Sequence, residues 1–362
     1  MLNSFQTSGN SPGGHGPERC RIGILGFGTI GSALARRLTG PQAVPTLELS
    51  HICDRRASDK RARQSQPIAD LSWTERFDDL ITSDVDIIVE VVAGAEPAID
   101  YVRGALLAGK SVVTANKQVI AQQGPALLAL AERQGRQLRF EAAVGGAMPI
   151  VRALGDGLTG EVIASIDAIL NGTTNAVLSR MAADGCGIDE AVADACARGY
   201  ADGDPSADLD GEDAAAKLSI LCMLGFRLRV LPAQIDTRTS ARILPEDFRK
   251  AALRGGTIRQ LAHAAYDPEK SSLVAWVAPT FVRNDTLFAR TTGPENAAVI
   301  TGTFAGQVTL TGTGAGGDAT AVAAIGDLIA IARDRAAIVP APVLKEPKHL
   351  DGLTDHKLAE AV

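Results

Sequence analysis

The 362-residue chain is poor in aromatics, which make up 4% of it. That suits a site for a small, polar, charged molecule better than one for a large planar ligand. Cysteines number five, an odd count at wide spacing with no CxxC pair, which excludes a disulfide framework and a cysteine zinc site and fits a reducing cytoplasm. No apolar run reaches the roughly 18 residues that a bilayer span needs. A positive field is missing too. Thirty-six Lys and Arg against 42 Asp and Glu give a net charge of −6, so neither nucleic acid nor an anionic membrane is an expected partner. Residues 1–19 lack the charged start and apolar stretch of a signal peptide and read as a flexible leader.

Glycine, in contrast, is abundant at 37 residues, while 46% hydrophobic and 22% charged residues describe an ordinary globular protein. The length suggests two folded units. From residue 21 to about 144, short apolar runs alternate with helical stretches, as in βαβ units and a parallel sheet. Strands are expected at 21–26, 47–53, 85–92, 111–115 and 137–142, and helices at 30–38, 97–108 and 125–134. The rhythm then changes to helices at 149–158, 174–183, 189–197 and 213–224 and strands at 162–170, 272–282, 297–302 and 307–311. The reading is an α/β Rossmann nucleotide-binding domain over 20–148 followed by an α+β domain over 149–318. A helix at 319–333 returns to the first domain, and 334–362 forms an extended tail.

Gly26-Phe27-Gly28-Thr29-Ile30-Gly31 closes the first strand and opens the first helix. In a dinucleotide site Gly26 makes the tight turn, Gly28 lets backbone approach a pyrophosphate, and Gly31 lets helix sit on strand. The rival is a purely structural turn. After the second strand come Asp54, Arg55 and Arg56, with Lys60, Arg61 and Arg63 close behind. The carboxylate would take the ribose hydroxyls of NAD, whereas the arginines would take the extra phosphate of NADP. A solvated basic run is the third option.

Hydride addition to a carbonyl leaves an alkoxide that needs a proton donor or a nearby cation. None of the five histidines lies inside a motif, so lysine is the next candidate. Lys217 follows Asp213 by four residues on an expected helix, which puts both on one face, either lining a cleft or as a surface ion pair. Lys117 stands where a parallel strand runs out at its carboxyl end, the side on which such sheets bind ligands. Asn171-Gly172-Thr173-Thr174-Asn175 joins a strand to a helix and reads as an N-cap or as a grip for a carboxylate. The acidic stretch Asp202, Asp204, Asp208, Asp210, Glu212 and Asp213 lacks calcium-loop spacing. It suits a ligand that carries an ammonium group, or a plain exposed loop.

These segments, together with Thr114-Ala115-Asn116-Lys117, Glu141 through Ile150, Gly199-Tyr200-Ala201-Asp202 and Asp208 through Lys217, stand in the order seen in homoserine dehydrogenases. The chain resembles that family from about residue 21 to 332. The resemblance implies NAD- or NADP-linked interconversion of L-aspartate 4-semialdehyde and L-homoserine, in aspartate-pathway amino-acid biosynthesis, by a cytoplasmic homodimer whose second domain is its catalytic and dimerisation domain. It assigns Lys217 as proton donor, Asp213 as its helper and Lys117 as a second active-site lysine. Gly172, Thr173, Thr174, Gly199, Tyr200, Asp202 and Asp208 would surround the substrate. Gly26, Phe27, Gly28, Thr29, Ile30, Gly31, Asp54, Arg55, Gly94, Lys117 and Gly316 would bind the cofactor. Glu141, through its carboxylate, and Val144, Gly146 and Met148, through backbone carbonyls, would hold a sodium ion. The bare reading of Gly145 and Gly146 is a hinge between domains.

Asp202 departs from the family, which usually has Glu there, and loses roughly 1.5 Å of reach. That admits a paralogue acting on a related amino-aldehyde or hydroxy acid. A catalytically silent dinucleotide sensor is a further rival, although Lys217, Asp213 and Lys117 are all in place. The short stretch after residue 332 leads us to expect neither an ACT domain nor a kinase fusion, and hence no threonine feedback through such a module.

Overall fold

A computed structural model describes residues 19–201 and 204–353. Asp202, nearly all of the leader and the end of the tail lie outside the described residues. Among the described residues no helix is long and apolar enough to cross a membrane.

The first domain is a parallel six-stranded sheet, built from β1 (Cys20–Leu25), β2 (Leu47–Cys53), β3 (Ser72–Thr74), β4 (Ile87–Glu90), β5 (Ser111–Thr114) and β6 (Leu138–Arg139). Their order is β3-β2-β1-β4-β5-β6, the doubly wound arrangement whose ligands sit beyond the carboxyl ends of the strands. Helices α1 (Thr29–Thr39), α2 (Ala57–Arg61), α3 (Phe77–Thr82), α4 (Ala98–Leu107) and α5 (Lys117–Arg133) alternate with them. Strand β4 shows why its run is almost wholly apolar: Ile87 and Val89 pack with α1 on one face, and Ile88 packs with α4 and α5 on the other.

The second domain starts with the short α6 (Ile150–Arg152) and continues through β7 (Ile163–Ile169), α7 (Gly172–Asp184), α8 (Ile188–Ala197), α9 (Ser206–Leu209) and α10 (Glu212–Gly225). Then come β8 (Asp236–Thr237), α11 (Pro245–Leu253), β9 (Gly256–Asp267), β10 (Ser272–Arg283), α12 (Leu287–Arg290), β11 (Glu295–Gly302) and β12 (Gln307–Thr313). Helix α13 (Gly317–Arg333) packs Ala321, Ala324 and Leu328 against Ala33 and Leu34 of α1 in the first domain. The sheet order is β12-β11-β7-β9-β10-β13, the last being β13 (His349–Asp351), with β8 also on β10. Helix α10 is buried between the second sheet and α5, so one apolar core runs through both domains.

Several elements differ from the sequence expectation. Helix α5 begins at Lys117 rather than 125, because Asn116 caps its N-terminus and burial of Val119, Ile120, Leu127 and Leu128 carries the helix past the internal Pro125. The strand expected at 137–142 stops at Arg139, since residues 141–143 wind into a 3-10 turn. The helix expected at 149–158 is one turn of α6 followed by a π-turn at Ala153–Gly157. Strand β9, the long antiparallel partner of β10, carries Arg259, Gln260 and His263 and so hides its apolar pattern. The segment read as an extended tail adds β13 (His349–Asp351) to the edge of β10, and Leu353 is buried.

Candidate active site

The register of the first sheet sets Cys53, Leu25, Glu90 and Thr114 side by side at its carboxyl edge. The glycine loop follows Leu25. Gly26 has a φ of +99°, and a Cβ on Gly31 would lie 2.1 Å from the Gly26 carbonyl oxygen, so the helix approaches the loop as closely as glycine alone permits. A Cβ on Gly28 would meet nothing within 4 Å, which leaves room there for a ligand at the amino end of α1. Gly26, Phe27, Gly28, Asp54, Arg55 and Lys60 line one cavity of 310 Å³, with Val91, Val92 and Ala93 on its wall.

Asp54 is tightly held. Its carboxylate accepts the Phe27 N–H at 2.8 Å and the Arg56 N–H at 2.9 Å, and it pairs with the Lys60 ammonium at 2.6 Å. Burial pulls this carboxyl upward, but Lys60 and the two N–H groups outweigh burial and hold it below the usual carboxylate value. Arg55, Arg56 and Lys60 share a second cavity with Asp54, three cations against one anion.

The second cluster joins the two domains. Asp213, in the first turn of α10, has a side chain only 10% exposed. One oxygen lies 3.0 Å from Lys117 Nζ at the start of α5, and the other lies 2.7 Å from Lys217 Nζ one turn along α10. Asn171 Nδ2 donates to Asp213 at 2.8 Å and to Asp208 at 2.6 Å, while its Oδ1 accepts the Thr174 N–H at 2.7 Å. Lys217 Nζ also donates to the Leu170 carbonyl at 2.8 Å. Burial would raise the Asp213 carboxyl, yet the Lys217 and Lys117 charges overcome it and keep the group ionised far below the ordinary range. Asp213 in turn raises Lys117 above the usual lysine value, against the pull of burial. Asp208 moves up, chiefly through burial.

Lys217 and Asp213 therefore form the helical pair that their spacing suggests, and the pair is buried rather than a surface ornament. Thr173 is drawn toward Tyr200, its hydroxyl donating to the Tyr200 carbonyl at 2.5 Å, which brings the 172–174 and 199–200 segments together. Gly94 supplies a carbonyl to Asn116 Nδ2 at 2.6 Å. Gly316 precedes α13, the helix that packs on α1. Asn171 is the residue that sequence reasoning underrated. Its signal was an asparagine at an N-cap, whereas its amide also clamps two carboxylates from other elements.

Glu141, the one side-chain donor of the sodium set, is engaged by backbone N–H groups. The Glu141 carboxylate accepts the Val151 N–H at 3.0 Å and the Arg152 N–H at 2.8 Å, so it caps the start of α6. Its own backbone N–H donates to Asp327 at 2.8 Å, and Arg152 pairs with Asp327 at 2.8 Å.

Comparison with known proteins agrees across both domains. Residues 26–141 match the family model described as the NAD binding domain of homoserine dehydrogenase, and residues 149–329 match the homoserine dehydrogenase model. The homoserine dehydrogenase of Synechocystis sp. is 39% identical over 86% of this chain and 73% of its own length. A solved homoserine dehydrogenase from Thiobacillus denitrificans, 31% identical, superposes with a TM-score of 0.83 over 93% of this chain and 80% of that one. A hyperthermophilic archaeal homoserine dehydrogenase in complex with NADPH, 27% identical, gives 0.72 over 89% of this chain and 99% of that one. This chain belongs to the homoserine dehydrogenase family, oxidoreductases that act on a CH–OH group with NAD(P).

Proposed function

We propose that the chain interconverts L-aspartate 4-semialdehyde and L-homoserine, with Lys217 as the group that gives and takes the proton at the substrate oxygen. The observation that carries this is the Asp213 carboxylate held between Lys117 at 3.0 Å and Lys217 at 2.7 Å. When bound, the dinucleotide supplies or accepts the hydride. An ammonium has three donors. Lys217 spends one on Asp213 and one on the Leu170 carbonyl, which leaves the third, among the described residues, for the substrate oxygen. In the reductive direction that N–H protonates the alkoxide, and Asp213 stabilises the ammonium and fixes its aim. Lys117 adds a second positive charge toward the same oxygen. Its elevated pKa keeps it charged, so it acts through its field rather than by giving up a proton.

The start of α7 at Gly172 and Thr173 offers N–H groups to the substrate carboxylate, and Asp208 faces its ammonium group. Asp202, outside the described residues, is proposed as a further ligand on the resemblance alone. The three cations around Asp54 favour NADP over NAD, because Lys60 already neutralises that carboxylate and Arg55 and Arg56 remain for a phosphate. The active form is proposed as a homodimer, supported by the family resemblance and tested by analytical ultracentrifugation, where a monomer at assay concentration would contradict it. Homoserine-dependent reduction of NADP and NAD, followed by nicotinamide absorbance, tests the activity. Turnover of another hydroxy amino acid with none of homoserine would transfer the site to the paralogue reading.

A further inference from the structure

A parallel strand covered on both faces is expected to be apolar throughout, yet β4 ends in a carboxylate that is wholly buried. Packing gives no reason for it, since an apolar side chain in such a place is commonly neutral or stabilising. Among the described residues Glu90 is met by hydrogen-bond donors rather than by a cation. Its Oε1 accepts the Val92 N–H at 2.7 Å, and its Oε2 accepts the Thr114 hydroxyl at 2.5 Å. Thr114 Oγ1 accepts the Asn116 N–H at 2.9 Å. Asn116 Nδ2 then donates back to the carbonyls of Val92 at 3.0 Å and Gly94 at 2.6 Å, while its Oδ1 accepts the N–H groups of Gln118 and Val119 at 3.0 and 3.3 Å.

This closed circuit ties two functional walls to one carboxylate. On one side is the 92–94 turn, part of the cavity lined by the glycine loop. On the other is the first turn of α5, from which Lys117 reaches Asp213. We propose that Glu90 is a positioning residue for the reaction, which through Thr114 and Asn116 holds Lys117 at a fixed distance from the cofactor-side wall. Glu90 touches neither substrate nor cofactor. The inference rests on the proposed role of Lys117.

Glu90→Gln keeps the size but puts an amide donor against the Thr114 hydroxyl or the Val92 N–H, so that the hydroxyl can no longer donate to a carboxylate oxygen while Val92 keeps its acceptor. Thr114→Val removes the hydroxyl at constant shape. On the full-length protein with NADP and homoserine, each is expected to lower kcat roughly ten- to a hundredfold, by more than it raises KM, because small misplacements of a catalytic group are costly. The double variant is expected to be no worse than the worse single one, and Thr114→Ser to recover most of the loss. Amide hydrogen exchange is expected to speed up at residues 116–119 and to stay unchanged in the second sheet. An unchanged kcat in folded Glu90→Gln and Thr114→Val would overturn the proposal, as would Thr114→Ser failing like Thr114→Val. If Glu90→Gln does not fold, Thr114→Val decides, and failure of both to fold assigns the circuit to stability and overturns the proposal. A wild type inert toward homoserine would sink the functional reading instead, and the exchange measurement would still judge Glu90: local acceleration upholds its role, and unchanged or global exchange refutes it.

Discussion

Lys117 Nζ, from the first domain, stands 3.0 Å from the Asp213 carboxylate of the second, and the same carboxylate holds Lys217 at 2.7 Å. The site is thus assembled by the join between domains, with one buried anion keeping two ammonium groups near a single point. Neither domain alone contains it.

Removing that anion should be severe. Asp213→Asn leaves two ammonium groups without their counter-charge, and breaking a buried pair in this way typically costs about 3–5 kcal/mol. The variant is expected to melt at lower temperature and to lose most of kcat. Thermal unfolding beside steady-state kinetics checks both, and full activity with unchanged stability would show that the bridge is dispensable.

The proposed preference for NADP rests on the neighbours of Asp54. Arg55→Ala is expected to raise KM for NADP by about tenfold, the scale of one lost charge-assisted contact, while leaving KM for NAD nearly unchanged. Lys60→Ala should weaken NADP as well, and it also releases the Asp54 carboxylate to accept ribose hydroxyls. Kinetics with both cofactors decide, and an equal effect on the two would place these cations outside the phosphate site.

Glu90 gives a pH prediction. Burial pushes its carboxyl up to about 7, against the opposing hydrogen bonds from Thr114 and Val92. A carboxyl whose pKa rises on folding contributes stability that is fully present below its unfolded value of 4.5 and is lost as pH climbs through about 7. The glutamine in Glu90→Gln does not titrate. The difference in melting temperature between wild type and this variant is therefore expected to shrink from pH 4.5 to pH 7.5 or so, and a constant gap would contradict the assignment.

Local features were legible in the sequence. The strand, glycine loop and helix around Gly26, Gly28 and Gly31 are contiguous, and Lys217 lies one helical turn from Asp213, so spacing alone brings them together. What spacing could not show is the meeting of distant elements. Lys117 reaches Asp213, and Asn171 reaches both Asp208 and Asp213, only because α5, α7 and α10 converge. Nor could spacing show that the turn of α6 presents two N–H groups to the Glu141 carboxylate ten residues earlier. Glu90 passed unremarked inside an apolar run, where its partners Thr114 and Asn116 belong to the neighbouring strand and the helix after it.

The most direct test of the account is the rate of homoserine-dependent NADP reduction by wild type and Lys217→Ala, measured side by side with folding verified by circular dichroism. The account predicts robust turnover by the wild type and a loss of roughly 10²- to 10⁴-fold in kcat for the variant, the range for a removed general acid–base group. Wild-type turnover by Lys217→Ala would contradict it.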